Sequence, residues 1–202
     1  MNSTSKMKND KMYNVLFDKL SDIIYMPDAD KSLCYQYFEP GSFPKNTIVE
    51  QAGKTPLYQY FIVTGIMRNF HTDDLGCEIT TDINNDSRFF TSYNHFVNRT
   101  ISNENIECIT ECNLLRIKRD DVDILYSKSI ILHKYTILLL QKVFEEERER
   151  IKELTTLTAK QRYLKFISNN PNVIKSVPLQ YIASYLGIKP ETISRIRRDL
   201  IS

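Results

Sequence analysis

A C-terminal segment, residues 177–198, carries charged and polar side chains at spacings that suit contact with DNA. Glu191, Ser194, Arg195 and Arg198 fall on one face if this segment is helical. An Arg guanidinium can donate two hydrogen bonds to guanine, and a Glu carboxylate can accept one from the amino group of cytosine. A helix that turns these side chains outward would be suited to reading base edges in the major groove.

The flanking apolar residues predict how such a helix would be held. Four of them follow the i, i+3, i+4, i+7 pattern of one buried helical stripe: Leu179, Ile182, Ala183 and Leu186. Gly187 then suits a helix end, and Pro190 suits the first turn of a second helix. The second helix has its own apolar face, made of Ile193, Ile196 and Leu200. The pattern predicts a helix-turn-helix, and the alternative is an ordinary helical hairpin with a solvated charged face.

Charge is unevenly distributed along the 202 residues. The formal net charge is only +2, but from Thr155 onward eight basic residues stand against two acidic ones. The preceding residues hold 19 basic and 23 acidic side chains, so an acidic body carries a basic C-terminal quarter. This asymmetry favours a nucleic-acid-binding module attached to a separate domain, and a basic surface without a partner is the weaker alternative.

Glycines divide the middle of the chain into short segments. Gly41, Gly53, Gly65 and Gly76 are spaced by 12, 12 and 11 residues, with β-branched and aromatic runs between them. Regular turn residues of this kind predict a small antiparallel barrel or sandwich. The predicted strands include residues 47–49, 58–63, 66–70, 89–93, 106–110 and 114–118. Asp120 is predicted to cap a short helix that follows the last strand.

The N-terminus and the cysteines suggest a cytoplasmic protein. Residues 12–25 predict an amphipathic helix after a frayed tail at residues 1–10, with no signal peptide and no membrane span. The cysteines are Cys34, Cys77, Cys108 and Cys112. Since they lack metal-binding spacing, we interpret them as small buried hydrophobes in a reducing compartment, with a redox role as the alternative. Cys108 and Cys112 are expected on the same face of one strand.

Residues 129–154 contain neither Gly nor Pro and show a heptad pattern. The first set of positions comprises Ile130, Ile137, Phe144 and Ile151, and the second comprises His133, Leu140, Glu147 and Leu154. Such a seam predicts a two-stranded parallel contact between two copies of the chain. The residues expected to carry it are Ile130, Ile137, Leu140, Phe144 and Ile151. A single long helix packed on its own domain is the alternative.

A capping box at Thr158 and Gln161 predicts that a new helix begins after this segment. The break between Leu154 and Thr158 would then be a hinge. We therefore divide the chain into an N-terminal helix and β-roll domain at 1–128, a dimerisation helix at 129–154 and a helix-turn-helix domain at 155–202.

This order of parts resembles the Crp/Fnr family of bacterial transcription regulators. Residues 38–41, 48–53 and 61–66 are similar to the opening strands of the family's β-roll, and residues 182–188 with 191–195 are similar to its helix-turn-helix signature. The resemblance implies an α+β fold with an antiparallel, jelly-roll-like β-roll, a long dimer helix and an all-α DNA-binding domain. It also implies a homodimer that binds double-stranded DNA and regulates transcription, with RNA polymerase as a possible further partner.

The family's recognition-helix roles can be carried over by position. Helix 190–201 would lie in the major groove, with Glu191 and Arg195 on base edges and Thr192 and Ser194 on phosphates. Since the chain ends soon after this helix, we expect no C-terminal wing, and phosphate contacts would come from Lys160, Arg162 and Lys165 instead. The other basic residues predicted at the interface are Lys189, Arg197 and Arg198.

Departures from the family pattern concern the sensor. The glycine-glutamate turn and the Arg-Ser/Thr-Ala cassette of cyclic-nucleotide-binding members are missing from residues 77–104, where Glu104 would repel a phosphate. We therefore expect no binding of cyclic AMP or cyclic GMP, and a β-roll that takes a more apolar ligand or is filled by its own Phe and Tyr side chains. Arg88 and Arg99 are the remaining candidates for an anionic effector, or else surface arginines. No cofactor is expected, because iron–sulfur and haem ligand patterns are missing.

The competing function is a cupin-like enzyme or small-molecule binder built on the β-barrel. Metal-dependent cupins need several His and a Glu at one site, whereas His71 and His95 stand alone here. No catalytic triad or paired-carboxylate arrangement stands out either. The sequence therefore favours a DNA-binding regulator without enzymatic activity.

Overall fold

A computed structural model of the chain describes residues 3–200. Its helices are α1 (Ser3–Ser21), α2 (Asp28–Tyr37), α3 (Tyr93–Asn98), α4 (Arg119–Lys128), α5 (Ile130–Thr156), α6 (Ala159–Asn169), α7 (Val173–Ser176), α8 (Leu179–Leu186) and α9 (Pro190–Asp199). Its strands are β1 (Glu39–Phe43), β2 (Ile48–Glu50), β3 (Tyr58–Thr64), β4 (Met67–Thr72), β5 (Glu78–Asn84), β6 (Arg88–Phe90), β7 (Asn105–Cys108) and β8 (Cys112–Lys118).

The strands form two four-stranded antiparallel sheets, as the glycine spacing predicted. One sheet has the order β1-β8-β3-β6 and the other β2-β7-β4-β5. Apolar side chains fill the space between the sheets, with Ile62, Met67 and Leu114 fully buried. The predicted antiparallel β-roll is therefore confirmed, and sheet β2-β7-β4-β5 ends on β5 as an edge strand.

Three of the four spaced glycines lie in turns that require their conformational freedom. Gly53, Gly65 and Gly76 have φ angles of 84°, 112° and 80°. At Gly65 a side chain is also excluded by space, because a Cβ atom would come within 2.6 Å of the Cys112 sulfur. The fourth glycine differs, since Gly41 lies within β1 rather than in a turn.

The N-terminal prediction needs correction at both ends. The helix begins at Ser3 and ends at Ser21, so residues 3–10 are helical rather than a frayed tail, and residues 1–2 lie outside the described residues. Its apolar stripe is buried as predicted through Met12, Leu16 and Leu20. The sequence analysis missed α2, whose mixed polarity gives little helical periodicity.

Three local predictions in the β-roll were wrong. The predicted strand at residues 89–93 ends at Phe90, and Tyr93 begins α3. Asp120 does not cap α4, because Lys118 is the N-cap residue and Asp120 lies in the first turn. Cys108 and Cys112 end and begin different strands in different sheets, since the chain turns between them.

The cysteines fit the buried interpretation except for one. Cys34, Cys108 and Cys112 are buried, whereas Cys77 is exposed next to Gly76. The hydrogen bond that Cys108 makes with Cys112, together with burial, raises the pKa of the Cys108 thiol. Such a thiol is a poor nucleophile at neutral pH.

Helix α5 packs on the β-roll with one side only. Leu132 and Tyr135 are buried against the outer face of the sheet β1-β8-β3-β6, and Leu139 packs beside them. At its start the Ser129 hydroxyl accepts from the backbone N–H of Leu132 and donates to the buried carboxylate of Asp30. The helix runs to Thr156, two residues beyond its predicted end.

The C-terminal helices form a second buried cluster, which also includes Ile66 and Ile109 of the β-roll. The predicted capping box is present at the start of α6, where Thr158 and Gln161 satisfy each other's backbone N–H groups.

Among residues 3–200, no helix combines the length and apolar character needed to cross a bilayer.

Candidate nucleic-acid interface

Helices α8 and α9 form the predicted helix-turn-helix. Gly187 ends α8 in the left-handed conformation at φ 62°, and the backbone N–H of Ile188 donates to Ala183 O at 2.9 Å. Pro190 is the first residue of α9, where its missing N–H costs nothing. The turn is therefore set by the residue types that the sequence singled out.

Burial on α9 separates an inner face from an outer face. Ile193 and Ile196 are 0% and 6% exposed and belong to the core of the C-terminal helices. Glu191, Ser194 and Arg195 are exposed on the other side. The Ser194 hydroxyl donates to Pro190 O at 3.1 Å, and it would have to turn from this oxygen in order to donate to a phosphate.

The end of α9 differs from the prediction. Leu200, expected on the inner face, is 49% exposed and follows the last helical residue, Asp199. Helix α9 is the last element of residues 3–200, and the expected absence of a wing beyond it stays a prediction.

The predicted basic residues fall into two groups. Lys160, Lys189 and Arg198 are exposed, and Thr192 is half-buried beside them in α9. Arg162 and Arg197 are half-buried, and Lys165 is exposed but pairs with a carboxylate of α5.

Contacts within the protein engage Arg162, Arg197 and Lys165, whose phosphate contacts stay a prediction. The Arg162 guanidinium donates to three backbone oxygens at the ends of α5 and α8: Leu157 O at 2.7 Å, Leu186 O at 3.0 Å and Gly187 O at 3.3 Å. Arg197 donates to the Tyr163 hydroxyl at 2.6 Å. Lys165 pairs with Glu153 of α5 at 2.6 Å, and this contact raises the pKa of the lysine.

The interior of the β-roll contains a polar network centred on Glu104. Its carboxylate accepts from the Ser92 hydroxyl at 2.7 Å, from the Thr81 hydroxyl at 2.9 Å and from the Asn69 amide at 3.5 Å. The Glu104 backbone N–H donates to Ser102 Oγ at 3.0 Å. The side chains that donate to this carboxylate are all neutral, and the buried Asn69 Oδ1 has no hydrogen-bond partner among residues 3–200.

Arg88 and Arg99 are not brought together. Arg88 pairs with Glu146 of α5 at 2.5 Å and lines a groove of about 180 Å³ between the β5–β6 turn and α5. Arg99 is 55% exposed in its side chain and pairs with Asp120 of α4 at 2.8 Å. The two arginines therefore do not form one anion site.

The sequence analysis missed a contact between the two halves of the chain. Helix α8 packs along the edge strand β5, and the ring of Tyr181 in α8 covers the buried Arg68 of β4. On the side facing α5, Arg150 Cζ lies 4.3 Å from the ring centroid of Tyr185, and burial raises the pKa of Tyr185 to about 12. An Arg within the apolar run 66–70 was the one sequence signal of this contact.

No protein-family model matches the chain, and no curated protein sequence matches it either. Solved structures nevertheless share its fold over most of its length. CLP of Xanthomonas campestris, described as a c-di-GMP-responsive global regulator, has a TM-score of 0.66 at 16% identity, covering 86% of this chain and 91% of that chain. FixK2 from Bradyrhizobium japonicum has a TM-score of 0.66 at 18% identity, covering 81% and 84%.

A structure from Eubacterium rectale assigned to the Crp/Fnr family of transcriptional regulators has a TM-score of 0.67 at 20% identity. It covers 86% of this chain, and the match spans 82% of that chain. The similarity includes both the β-roll and the helix-turn-helix. The chain thus has the fold of the Crp/Fnr family regulators.

Proposed function

We propose that the protein is a homodimeric, sequence-specific DNA-binding regulator of transcription, without enzymatic activity, that acts in the cytoplasm. The observation that carries this proposal is the division of α9 into two faces. Ile193 and Ile196 fix the helix to its domain, while Glu191, Ser194 and Arg195 face outward. A fixed helix with exposed hydrogen-bonding side chains is what reading the major groove requires.

The proposed base contacts come from the charged side chains of α9. Arg195 would donate to a guanine and Glu191 would accept from a cytosine, while Thr192 and Ser194 would contact phosphates. Lys189, Lys160 and Arg198 are exposed and would add phosphate contacts. The basic balance of the C-terminal quarter supports the same partner.

Dimerisation through α5 is proposed from the helix face opposite the β-roll. The side chains of Ile130, Ile137, Phe144 and Ile151 are 82%, 48%, 64% and 61% exposed. They recur every seven residues, and Leu140 lies half-buried beside them. An apolar stripe of this length is costly in water, and a second copy of the same helix would cover it.

The two-fold symmetry of such a dimer would match a palindromic site. In this arrangement residues 1–128 form a sensor-like domain, 129–154 the dimerisation segment and 155–202 the DNA-binding domain. Contact with RNA polymerase stays a prediction.

We further propose that the β-roll does not sense cyclic AMP or cyclic GMP. The Glu104 network supports this, because its carboxylate and neutral donors offer no partner for a cyclic phosphate. The cupin-like alternative has no observation in its favour.

A selection experiment tests the proposal. Wild-type protein is incubated with a pool of random duplexes, and the bound duplexes are sequenced. We expect an inverted repeat whose half-sites lie one helical turn, or a multiple of it, apart. Enrichment of no sequence would contradict the proposal.

A further inference from the structure

We propose that Arg68 and Tyr181 are positioning residues for DNA binding, which hold the helix-turn-helix on its own β-roll in one orientation. This inference rests on the proposed function. Neither residue would touch DNA. Both would act by fixing the direction in which α9 points.

Arg68 is fixed within the β-roll by its ion pairs. It is 1% exposed, its Nε donates to Glu107 at 2.8 Å, and its terminal nitrogen lies 2.5 Å from Glu78 and 2.7 Å from Glu107. Thr80 accepts a further hydrogen bond at 3.3 Å. A buried guanidinium with this many partners has one orientation, and it forms a rigid platform.

Two aromatic rings lie against this platform. The Arg68 Cζ atom is 4.0 Å from the ring centroid of Phe70 and 3.4 Å from that of Tyr181. Phe70 belongs to the same strand, but Tyr181 belongs to the first helix of the helix-turn-helix. The cation–π contact between Arg68 and Tyr181 therefore joins the β-roll to the helix-turn-helix. The contact is desolvated, and cation–π interactions are strongest under that condition.

A backbone hydrogen bond lies next to this stack. The Thr80 N–H donates to Ser184 Oγ of α8 at 2.8 Å. Because β5 is an edge strand, this N–H has no neighbouring strand to bond, and α8 satisfies it instead. The helix is thus held in register along the edge of the sheet.

An apolar contact completes the junction. Ile66 and Ile109, at turns of the β-roll, belong to the same buried cluster as Ile193 and Ile196. The two halves therefore share one core instead of meeting across a polar gap.

The docked orientation leaves the reading face open. The contacts to the β-roll use Tyr181 and Ser184 of α8, whereas Glu191, Ser194 and Arg195 of α9 stay exposed. Docking therefore restricts the direction of α9 without covering it. In a dimer joined through α5, this restriction would fix the spacing of the two recognition helices and raise the effective concentration of the second half-site contact.

The test compares two DNA probes with three proteins. The probes are the inverted repeat enriched by the wild-type protein and a duplex of equal length carrying one half-site. The proteins are wild type, Tyr181→Ala, and Tyr181→Phe, which keeps the ring on Arg68. We expect Tyr181→Ala to bind the inverted repeat about 10- to 100-fold more weakly, to bind the single half-site as wild type does, and Tyr181→Phe to match wild type on both probes.

Hydrogen exchange at the Thr80 amide reports docking independently of DNA. The exchange should be slow in wild type and in Tyr181→Phe and faster in Tyr181→Ala, while amides in β3 and β8 keep their protection. A second variant, Ser184→Ala, removes the acceptor of this N–H and should shift both readouts in the same direction by a smaller factor.

Other results would overturn the positioning role. Equal weakening on both probes would mean that Tyr181 only stabilises its own domain, and tighter binding by Tyr181→Ala would mean that docking inhibits. If wild type fails to prefer the inverted repeat over unrelated DNA, the proposed function itself fails, whereas unchanged binding by Tyr181→Ala refutes only the positioning role.

Discussion

The outer face of α9 and the interior of the β-roll are both polar, but their polar groups are satisfied differently. Inside the roll the Glu104 carboxylate accepts from Ser92, Thr81 and Asn69, so the chain itself supplies the donors, although the buried Asn69 Oδ1 has no hydrogen-bond partner among residues 3–200. On α9, Glu191 and Arg195 stay exposed to solvent. The difference shows that most polar groups of the Glu104 network bond to one another, whereas the charged groups of α9 are open to solvent.

The apolar stripe of α5, which includes Ile137 and Phe144, is exposed to solvent in the same way as the outer face of α9. Ile137→Asp would place a carboxylate in the proposed seam, where an unpaired charge in an apolar contact costs several kcal/mol. We expect sedimentation to show monomers and binding to an inverted repeat to be lost. Ile137→Leu, which keeps the position apolar, should remain dimeric. A dimeric Ile137→Asp would show that the copies associate elsewhere.

Removing the exposed Arg195 side chain should weaken DNA binding and leave the stability of the protein unchanged. Arg195→Ala is expected to weaken binding to the selected duplex by about 1–3 kcal/mol and to relax the base preference at one position of each half-site. Its free energy of unfolding should stay within about 0.5 kcal/mol of wild type, as for other surface substitutions. The control is Arg99→Ala, an exposed arginine on the β-roll, which should bind DNA normally. Wild-type affinity and specificity in Arg195→Ala would refute the assignment.

Removing the Glu104 carboxylate should lower the stability of the protein and leave DNA binding unchanged. Glu104→Ala leaves the donors of Ser92, Thr81 and Asn69 without their carboxylate, and we expect the free energy of unfolding to fall by about 1–3 kcal/mol in denaturant titration. DNA affinity should be unchanged at temperatures where the variant is folded. The matched control, Glu111→Ala at an exposed position, should have the stability of wild type. An unaltered stability in Glu104→Ala would mean that the network contributes nothing.

Cyclic nucleotides should produce no effect at all. Calorimetric titration with cyclic AMP and with cyclic GMP should give no binding heat at physiological concentrations, because the Glu104 network would repel the phosphate. A dissociation constant in the micromolar range for either nucleotide would contradict this expectation, and Arg88 and Arg99 would then be the residues to substitute.

The features predicted well from sequence are those encoded locally. Gly187 and Pro190 mark the helix ends by their own backbone preferences, and Thr158 with Gln161 caps α6 within one turn. The long helix α5 was also predicted from a local pattern, while the dimer seam on its exposed apolar stripe stays a prediction.

The features missed depend on contacts between distant segments. No sequence pattern indicates that Arg162 donates to backbone carbonyls at the ends of α5 and α8, which only folding brings near it. Similarly, nothing near Arg68 in the sequence indicates Tyr181, which lies in α8, far along the chain. Sequence patterns thus identified α9 and its buried face, but not the contacts that join the helix-turn-helix to the β-roll.

The most direct test of DNA recognition is a salt-titrated affinity measurement with the wild-type protein. The enriched inverted repeat is compared with an unrelated duplex of the same length. We expect the inverted repeat to bind at least about 1,000-fold more tightly at physiological salt, and both affinities to fall as the salt concentration rises. Equal affinity for the two duplexes would contradict sequence-specific recognition by α9.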